Sequence, residues 1–167
     1  MKIIFFRHAA AIDRSISSSD DRRYLTPKGR AFCRKTVRTM MGKKVDPDLI
    51  LTSPLLRAVQ TADILAESLT YNGPLVAEST LEPGFALAGL KQLLKKNQLC
   101  RELVIVGHEP DLSGVIAALL GLPDGFSFRK GSAIRLTIEA ADLRQKAVFK
   151  WLAVGGKLIT SGKEAFG

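Results

Sequence analysis

The sequence lacks the features that mark disulfide frameworks, metal sites and membrane spans. Its 167 residues include two cysteines, Cys33 and Cys100, which form neither a C-x-x-C pair nor a metal-ligand pattern. The apolar run at residues 3–6 is too short for a signal peptide, and no run approaches the roughly 20 residues of a transmembrane helix. We therefore expect a soluble, cytoplasmic protein that binds no membrane, with both thiols reduced in the core or in helices.

Acidic residues are also scarce. The chain has 25 Lys or Arg residues against 16 Asp or Glu, a formal net charge of +9. Residues 22–44 contain no acidic residue, and their basic residues are Arg22, Arg23, Lys28, Arg30, Arg34, Lys35, Arg38, Lys43 and Lys44. Such a face attracts anions, so the partner is either an acidic protein, polyphosphate or another polyanion, or the face only serves solubility. Nucleic acid is disfavoured because no aromatic residues are interleaved with the charges.

The length and the alternation of apolar runs with amphipathic segments predict one α/β domain over residues 1–167. Strands are expected near residues 2–7, 48–52, 74–77, 102–107, 132–138 and 147–153, and helices near 27–41, 54–69, 86–97 and 111–120. Alternation of this kind predicts a mainly parallel sheet covered on both faces, a three-layer α/β/α sandwich, with the last two strands as an antiparallel hairpin at one edge. Residues 155–167 lack periodicity and are expected to be a loose tail of a monomer.

The first strand ends in Arg7 and His8, the most informative junction of the chain. Ligands of open parallel sheets bind beyond the carboxyl ends of the strands. A guanidinium suits phosphate, and an imidazole can attack phosphorus or transfer protons. The pair suggests phosphoryl transfer through a phosphohistidine. The alternative is a histidine that closes a local hydrogen bond beside a solvent-facing arginine.

Two later junctions have the same form. The strand at 48–52 runs into Ser53, which suits an N-cap, and Pro54, which suits the first helical position. Arg57 then lies in the first helical turn, where exposed amides favour an anion. The strand at 102–107 ends in Gly107 and His108 before another helix. The chain has two histidines, and both follow strand ends, which favours a shared site over local structural roles.

Four motifs together resemble the histidine phosphatase superfamily, whose fold is phosphoglycerate mutase-like. They are Arg7-His8-Ala9, Leu25-Thr26-Pro27-Lys28-Gly29, Ser53-Pro54-Leu55-Leu56-Arg57-Ala58-Val59-Gln60-Thr61-Ala62 and Gly107-His108-Glu109-Pro110. The short chain without a cap-domain insertion is most similar to the SixA-type phosphohistidine phosphatases. The motifs cover residues 1 to about 115, and the later Ser-Ala-Ile at residues 132–134 resembles a strand of that group.

The resemblance implies a phosphatase and assigns roles to the motif residues. His8 is implied as the nucleophile, Arg7 and Arg57 as the phosphate clamp, and His108 as a further phosphate ligand or proton donor. Ser53 is an additional candidate phosphate ligand. The substrate is implied to be a phosphorylated protein or a small anionic phosphate. Because cationic side chains offset the phosphate charge, no metal or other cofactor is expected.

The motifs do not identify the general acid or define the shape of the loop over the site. In mutase-like members a glutamate follows the third strand, and Glu82 lies near that place with its register shifted by one residue. Glu82 is therefore either the proton donor or a turn residue. Residues 13–24 are expected to form a loop over the site, in which Asp21 and Arg22 resemble the family pattern and Tyr24 replaces a common proline.

Other functions compete with a phosphohistidine phosphatase. A phosphomonoesterase for small molecules or polyphosphate would use the same residues. A phosphoglycerate mutase is disfavoured by the short chain, and a non-catalytic phosphate-binding module by the presence of His8. A serine hydrolase centred on Ser53 is poorly supported because no G-x-S-x-G motif surrounds that residue.

Overall fold

A mixed β-sheet forms the centre of the protein, for which a computed structural model describes residues 1–16, 19–122, 126–139, 143 and 146–167. In this described part the sheet has seven strands in the order β3-β2-β4-β1-β5-β6-β7. They are β1 (Lys2–Arg7), β2 (Leu49–Thr52), β3 (Leu75–Ala77), β4 (Glu102–Gly107), β5 (Ser132–Thr137), β6 (Val148–Val154) and β7 (Lys157–Ile159). Strands β1 to β4 are mutually parallel, whereas β5, β6 and β7 each pair antiparallel with their neighbours.

The helices cover both faces of this sheet. Their bounds are α1 (Pro27–Met41), α2 (Leu56–Leu69), α3 (Leu87–Lys96), α4 (Asp111–Leu120) and α5 (Gly162–Phe166), with a 3₁₀ turn at Ser79–Leu81. Because side chains alternate along a strand, Ile3 and Phe5 of β1 enter one hydrophobic cluster with α3 and α4. Ile4 and Phe6 enter a second cluster with α1 and α2. The α/β sandwich predicted from the sequence is confirmed, with the sheet parallel on one side and antiparallel on the other.

The register of the central strands brings three chain segments to one edge of the sheet. Arg7 pairs with Gly107 at the ends of β1 and β4, and Thr52 of β2 pairs with Val106. The ladder continues one step further, since the amide of His8 donates to the Gly107 carbonyl and the amide of Ser53 to the Val106 carbonyl, both at 3.0 Å. The residues that follow β1, β2 and β4 are therefore neighbours.

Helix α1 begins against the segment that follows β1. Thr26 is its N-cap and accepts from the amide of Gly29, and Pro27 is the first helical residue, as the sequence predicts. The amide of Thr26 donates to the carbonyl of Ala10 at 2.9 Å. An added Cβ at Gly29 would lie 2.2 Å from that carbonyl oxygen, so only glycine permits this approach.

Two expectations about local structure are wrong. The N-cap of α2 is Leu55, so Ser53 and Pro54 precede the helix; the Ser53 hydroxyl contacts His108 at 2.7 Å and is only a 3.3 Å acceptor for the Leu55 amide. Residues 155–167 are not a loose tail either. They form β7 and α5, and the Phe166 ring contacts the rings of Phe126 and Phe149 at centroid distances of 5.0 and 5.1 Å.

Cys33 is buried in the cluster under α1, Cys100 is half-buried in the loop before β4, and both are free thiols. Within the described ranges, no helix is both long enough and apolar enough to cross a membrane.

Replacing Gly29 by alanine is expected to destabilise the protein by about 2–3 kcal/mol, because the new methyl group overlaps a backbone carbonyl that α1 cannot move away from. Gly114→Ala is the matched control, since Gly114 lies exposed in α4 with nothing within 4 Å of an added Cβ. The control is expected to gain up to about 1 kcal/mol from helix propensity. Urea unfolding of both variants measures the difference, and equal stabilities would contradict the close approach of α1.

Candidate active site

The two histidines lie side by side at the carboxyl ends of β1 and β4. Their ring centroids are 5.1 Å apart, and the side chains are only 7 % and 4 % exposed for His8 and His108. The register described above is the cause, because residues 8 and 108 each follow the last pair of the β1–β4 ladder. The two imidazoles therefore share one small and nearly dry site.

The His8 ring is held in one tautomer. Its Nδ1 lies 2.8 Å from the carbonyl oxygen of Ala9, and since a carbonyl only accepts hydrogen bonds, Nδ1 carries the proton. The lone pair is therefore on Nε2. Burial lowers the pKa of His8 to about 3, opposed by the bond to Ala9 and reinforced by His108, Arg57 and Arg7. At neutral pH the ring is therefore uncharged, with a lone pair on Nε2.

His108 is neutral for the same reasons. Burial lowers its pKa to about 4, with Arg57 contributing further, whereas Asp20 acts in the opposite direction. Its Nε2 lies 2.7 Å from the Ser53 hydroxyl. Its Nδ1 is buried and has no hydrogen-bond partner in the part of the chain that the structure describes.

Arg57 enters the site from the first turn of α2 and is 4 % exposed. Its Nη1 donates to the carbonyl of Asp20 at 2.7 Å, and its Nη2 donates to the Asp20 carboxylate at 2.9 Å. Thr61, one turn along α2, donates to the Arg57 carbonyl and accepts from the amide of Ala9. One side of the guanidinium is thus anchored, and α2 is tied to the end of β1.

Arg7 is anchored in the same way on the other side of the site. Its Nη1 donates to the carbonyl of Phe128, in a loop that the amide of Gly131 ties to the Arg7 and His8 carbonyls at 3.2 Å. The Nε atoms of both Arg7 and Arg57 are buried, and neither finds a hydrogen-bond partner among the described residues. Each guanidinium therefore has one anchored side and a buried Nε donor without a partner.

Asp20 and Arg23 are site residues that the sequence reasoning missed. The Asp20 carboxylate accepts from Arg14 at 3.0 Å and from Arg23 at 3.1 Å as well as from Arg57. Although its partial desolvation acts in the other direction, the bonds from Arg23 and Arg57 lower the pKa of Asp20 to about 2. The neighbouring Asp21, chosen from the sequence, contributes its carbonyl to the Leu56 amide instead.

The loop that carries Asp20 is fixed to the motif of α2. The amide of Leu25 donates to the Gln60 side chain at 2.8 Å, and Ala11 forms an isolated bridge with Leu25. Tyr24 is exposed. The sequence prediction of a loop over the site extends to residues 17–18, which lie outside the described residues; the described part does pack on Arg57.

Two carboxylates are candidates for proton transfer, and they differ in their surroundings. Glu82 is exposed at the end of the 3₁₀ turn. Glu109 follows His108 and is half-buried, and its Oε2 contacts the Ser113 hydroxyl. Its Oε1 is buried with no hydrogen-bond partner in the described structure. Burial raises the pKa of Glu109, while Ser113 and Arg7 act in the opposite direction.

The described side chains contain no group of three or more His, Cys, Asp or Glu residues that could hold a metal ion. The site instead collects two guanidinium groups, two neutral imidazoles and a hydroxyl around the end of β1. The unsatisfied Arg7 and Arg57 donors suit an oxyanion, and the His8 lone pair suits attack on an electrophilic centre within that anion.

Comparison with known proteins identifies the family. A family model described as the histidine phosphatase superfamily (branch 1) matches residues 3–82. An uncharacterised protein of Picosynechococcus sp. is 38% identical over 114 residues, which are 67% of this chain and 68% of that protein. The chain belongs to the histidine phosphatase superfamily. The phosphohistidine phosphatase SixA of Escherichia coli is 29% identical over 124 residues, 71% of this chain and 74% of SixA.

Solved structures of this superfamily share the fold. A structure of the protein histidine phosphatase SixA with tungstate has a TM-score of 0.82 at 22% identity, covering 93% of this chain and 97% of that one. The α-ribazole phosphatase of Shigella flexneri has a TM-score of 0.71 at 18% identity, covering 93% and 96%. Together with the family, these relatives make the protein a phosphatase, a hydrolase that removes phosphoryl groups.

The buried neutral histidines predict a loss of stability on mild acidification. Because their folded pKa values of about 3 and 4 lie below the usual 6.5, the unfolded chain binds more protons as the pH falls from 7 to 5. Each histidine is expected to cost about 2 kcal/mol over that interval. The measurement is urea unfolding at pH 7 and pH 5, where His8→Gln and His108→Gln should each lose less stability than the parent. A parent protein equally stable at both pH values would show that the histidines are not buried in neutral form.

Proposed function

We propose that the protein hydrolyses phosphoryl groups through a covalent phosphohistidine on His8, and that its substrate is a phosphohistidine protein. The observation that carries the mechanism is the neutral His8 ring, which keeps its lone pair on Nε2 and lies near enough to Arg57 and Arg7 for their charges to lower its pKa. The Nε donors of both arginines have no partner in the described structure. Such a site is complementary to a phosphoryl group and presents its nucleophile to phosphorus.

The clamp consists of Arg7 and Arg57, with His108 as a third contact. Their fixed sides, held by Phe128 and Asp20, leave the remaining donors directed by the fold before substrate arrives. Asp20 is a positioning residue, since its carboxylate holds Arg57 and is itself held by Arg14 and Arg23. Donors that are fixed in advance stabilise the charge of the transferring phosphoryl group without reorganisation in the transition state. Ser53 orients His108 through the contact to its Nε2.

The reaction has two steps. The His8 Nε2 lone pair forms a bond to phosphorus while the bond between phosphorus and the leaving group breaks, and the leaving group takes both electrons of that bond. The Ala9 carbonyl, which accepts from Nδ1, stabilises the positive charge that develops on the imidazole. A water molecule then attacks the phosphohistidine and releases phosphate, and His8 returns to its neutral form. No step assigned to these side chains requires a metal ion.

Glu109 is a better candidate than Glu82 for the proton donor to leaving groups that need one. It directly follows His108, is half-buried and has a raised pKa, as a general acid requires near neutral pH. The Arg7 charge also acts on the Glu109 carboxyl and partly opposes the rise in its pKa. Glu82 is exposed on the loop before α3 and has none of these contacts among the described residues.

A phosphohistidine protein is the proposed substrate because SixA is a relative at 29% identity over most of its length. A phosphoramidate also suits a site with strong charge stabilisation, since imidazole is a good leaving group. The fold alone also accommodates small substrates, as the α-ribazole phosphatase shows for its own site. A small-molecule or polyphosphate phosphomonoesterase is therefore the second candidate, and a screen over phosphohistidine protein, nucleotides, sugar phosphates and polyphosphate distinguishes the two.

Brief incubation with ³²P-labelled substrate is expected to label the protein through a bond that acid hydrolyses and alkali preserves. His8→Ala should show no label and at least a 10³-fold lower kcat, on the order expected for loss of a catalytic nucleophile. Activity is expected to survive EDTA, and vanadate should compete with substrate. An acid-stable adduct, or a labelled His8→Ala, would place the nucleophile elsewhere.

A leaving-group series is expected to distinguish the two glutamates. With a proton donor at Glu109, Glu109→Gln should lower kcat/KM for alkyl phosphates by about 10² and leave phosphohistidine nearly unchanged, because only the alkoxide needs a proton. Glu82→Gln is the matched control and should leave both substrates unchanged. Equal losses on both substrates in Glu109→Gln would mean that the residue acts through structure, and a selective loss in Glu82→Gln would assign the proton to Glu82.

A further inference from the structure

A cavity of about 660 Å³ opens beside the clamp, on the side of α1. Its walls come from Arg7, from Lys28 and Phe32 of α1, and from Ser127, Arg129 and Lys130 of the loop before β5. A cavity of this volume is in the range that holds a small ligand or the side chains around a modified residue. Because Arg7 belongs both to the proposed clamp and to this wall, the cavity adjoins the proposed site of phosphoryl transfer.

The charge of the cavity is of one sign. Four of its lining residues are cationic, Arg7, Lys28, Arg129 and Lys130, and no carboxylate is among the lining side chains that the structure describes. Within the described ranges, no ion pair includes Lys28, Arg129 or Lys130. These three side chains are exposed, so their charges face the opening.

Contacts between α1 and the loop before β5 hold the wall of the cavity in place. The Arg129 guanidinium lies over the Phe32 ring, 5.7 Å from its centroid. Gly131 has a φ of +72°, and an added Cβ there would lie 2.9 Å from the Phe32 ring. The same loop supplies the Phe128 carbonyl that anchors Arg7. The cationic wall is therefore fixed to the clamp through the backbone of residues 128–131.

The basic residues of the segment at 22–44 do not form one face. Lys28 lines this cavity, whereas Lys43 and Lys44 line a second basic cavity of about 310 Å³. Lys150 lies in that second cavity too, and Lys2, another of its lining residues, is at the amino end of β1, away from the histidines. Lys28 and the pair Lys43 and Lys44 thus lie at opposite ends of the sheet strands, so the segment presents its charges to at least two separate cavities.

We propose that the cavity beside Arg7 is a second anion subsite, which binds a carboxylate or phosphate group carried by the same substrate as the transferred phosphoryl group. This rests on the proposed function, because the first anion must occupy the Arg7–Arg57 clamp. The second anion is either an acidic side chain near a phosphohistidine or a further phosphate of a small substrate. Both bind exposed cations by the same charge complementarity.

The test compares the double variant Lys28→Ala/Lys130→Ala with Lys43→Ala/Lys150→Ala, which removes the same charge from the second basic cavity. Calorimetry at fixed ionic strength measures binding of inorganic phosphate and of tripolyphosphate. The parent is expected to bind tripolyphosphate more tightly than phosphate, and Lys28→Ala/Lys130→Ala should weaken tripolyphosphate binding about five- to twentyfold, the effect of two exposed ion pairs. Phosphate binding and the kcat for p-nitrophenyl phosphate should stay unchanged. The control variant should resemble the parent.

A peptide arm distinguishes the two sources of the second anion. Phosphohistidine peptides with aspartate or with alanine beside the modified residue are compared in the same proteins. A KM increase in Lys28→Ala/Lys130→Ala that is confined to the aspartate peptide assigns the subsite to acidic side chains. An effect on tripolyphosphate with both peptides unaffected assigns it to a second phosphate.

Other outcomes overturn one proposal at a time. If Lys28→Ala/Lys130→Ala binds tripolyphosphate and the aspartate peptide as the parent does, or if the control variant loses as much affinity, the cavity is not a subsite. Turnover and phosphoenzyme formation would then still support the proposed function. If the parent itself neither turns over p-nitrophenyl phosphate nor forms a phosphoenzyme, the proposed function fails, and the calorimetry still decides whether the cavity binds anions.

Discussion

The site depends on two guanidinium groups that are wholly or partly buried, Arg7 at the end of β1 and Arg57 at the start of α2. A guanidinium taken out of water costs several kcal/mol unless its donors are satisfied. Arg57 is 4 % exposed, and it is compensated by the carboxylate and the carbonyl of Asp20. Arg7 is compensated by the Phe128 carbonyl, and His8 responds by staying neutral. The loops at 19–25 and 126–131 are thus held by the same two arginines that leave donors for an anion.

Most of the fold could be predicted because its signals are local. The apolar runs of β1, β2 and β4 are short and continuous, as buried parallel strands require, and their ends are marked by a change to polar residues. Helix α1 has a capping threonine, a proline at its first position and a basic last turn, so its bounds follow from chemistry within a few residues. Because β1 and β4 are parallel, their carboxyl ends lie at the same edge of the sheet. Locating the two strand ends in the sequence is therefore enough to predict that His8 and His108 are neighbours.

The remaining features depend on contacts between distant segments. The pairing of Asp20 with Arg57 joins residues 37 positions apart, and nothing local distinguishes Asp20 from Asp21 in the Asp-Asp-Arg-Arg segment. Ser53 suited an N-cap by its residue type, but its hydroxyl contacts His108 on another strand. The strand in the final segment, β7, has only three residues, so it is too short to show a periodic pattern. The segment is held instead by its pairing with β6 and by the contact between the Phe166 and Phe126 rings. Glu109 is a candidate proton donor because burial raises its pKa, and burial cannot be read from the residue's place in the sequence.

The division between buried and exposed cations explains how one site architecture can be used on different substrates. Arg57 is a buried cation beside two buried, neutral histidines. Under the proposed function these three side chains contact the phosphoryl group and not the group that carries it. Lys28, Arg129 and Lys130 are exposed at the adjoining cavity, where we propose that the rest of the substrate lies. SixA and an α-ribazole phosphatase share this fold while their names specify different substrates. Since binding energy from the non-reacting part of a substrate decides which substrate is processed, the two proposals together assign specificity to the exposed cations of the cavity wall, which are Lys28 of the second motif and Arg129 and Lys130 of the loop before β5. Lys28 belongs to a family motif, whereas Arg129 and Lys130 lie outside all four motifs. The loop at 127–130 is therefore the part of the cavity wall that the family motifs leave free to differ between substrates.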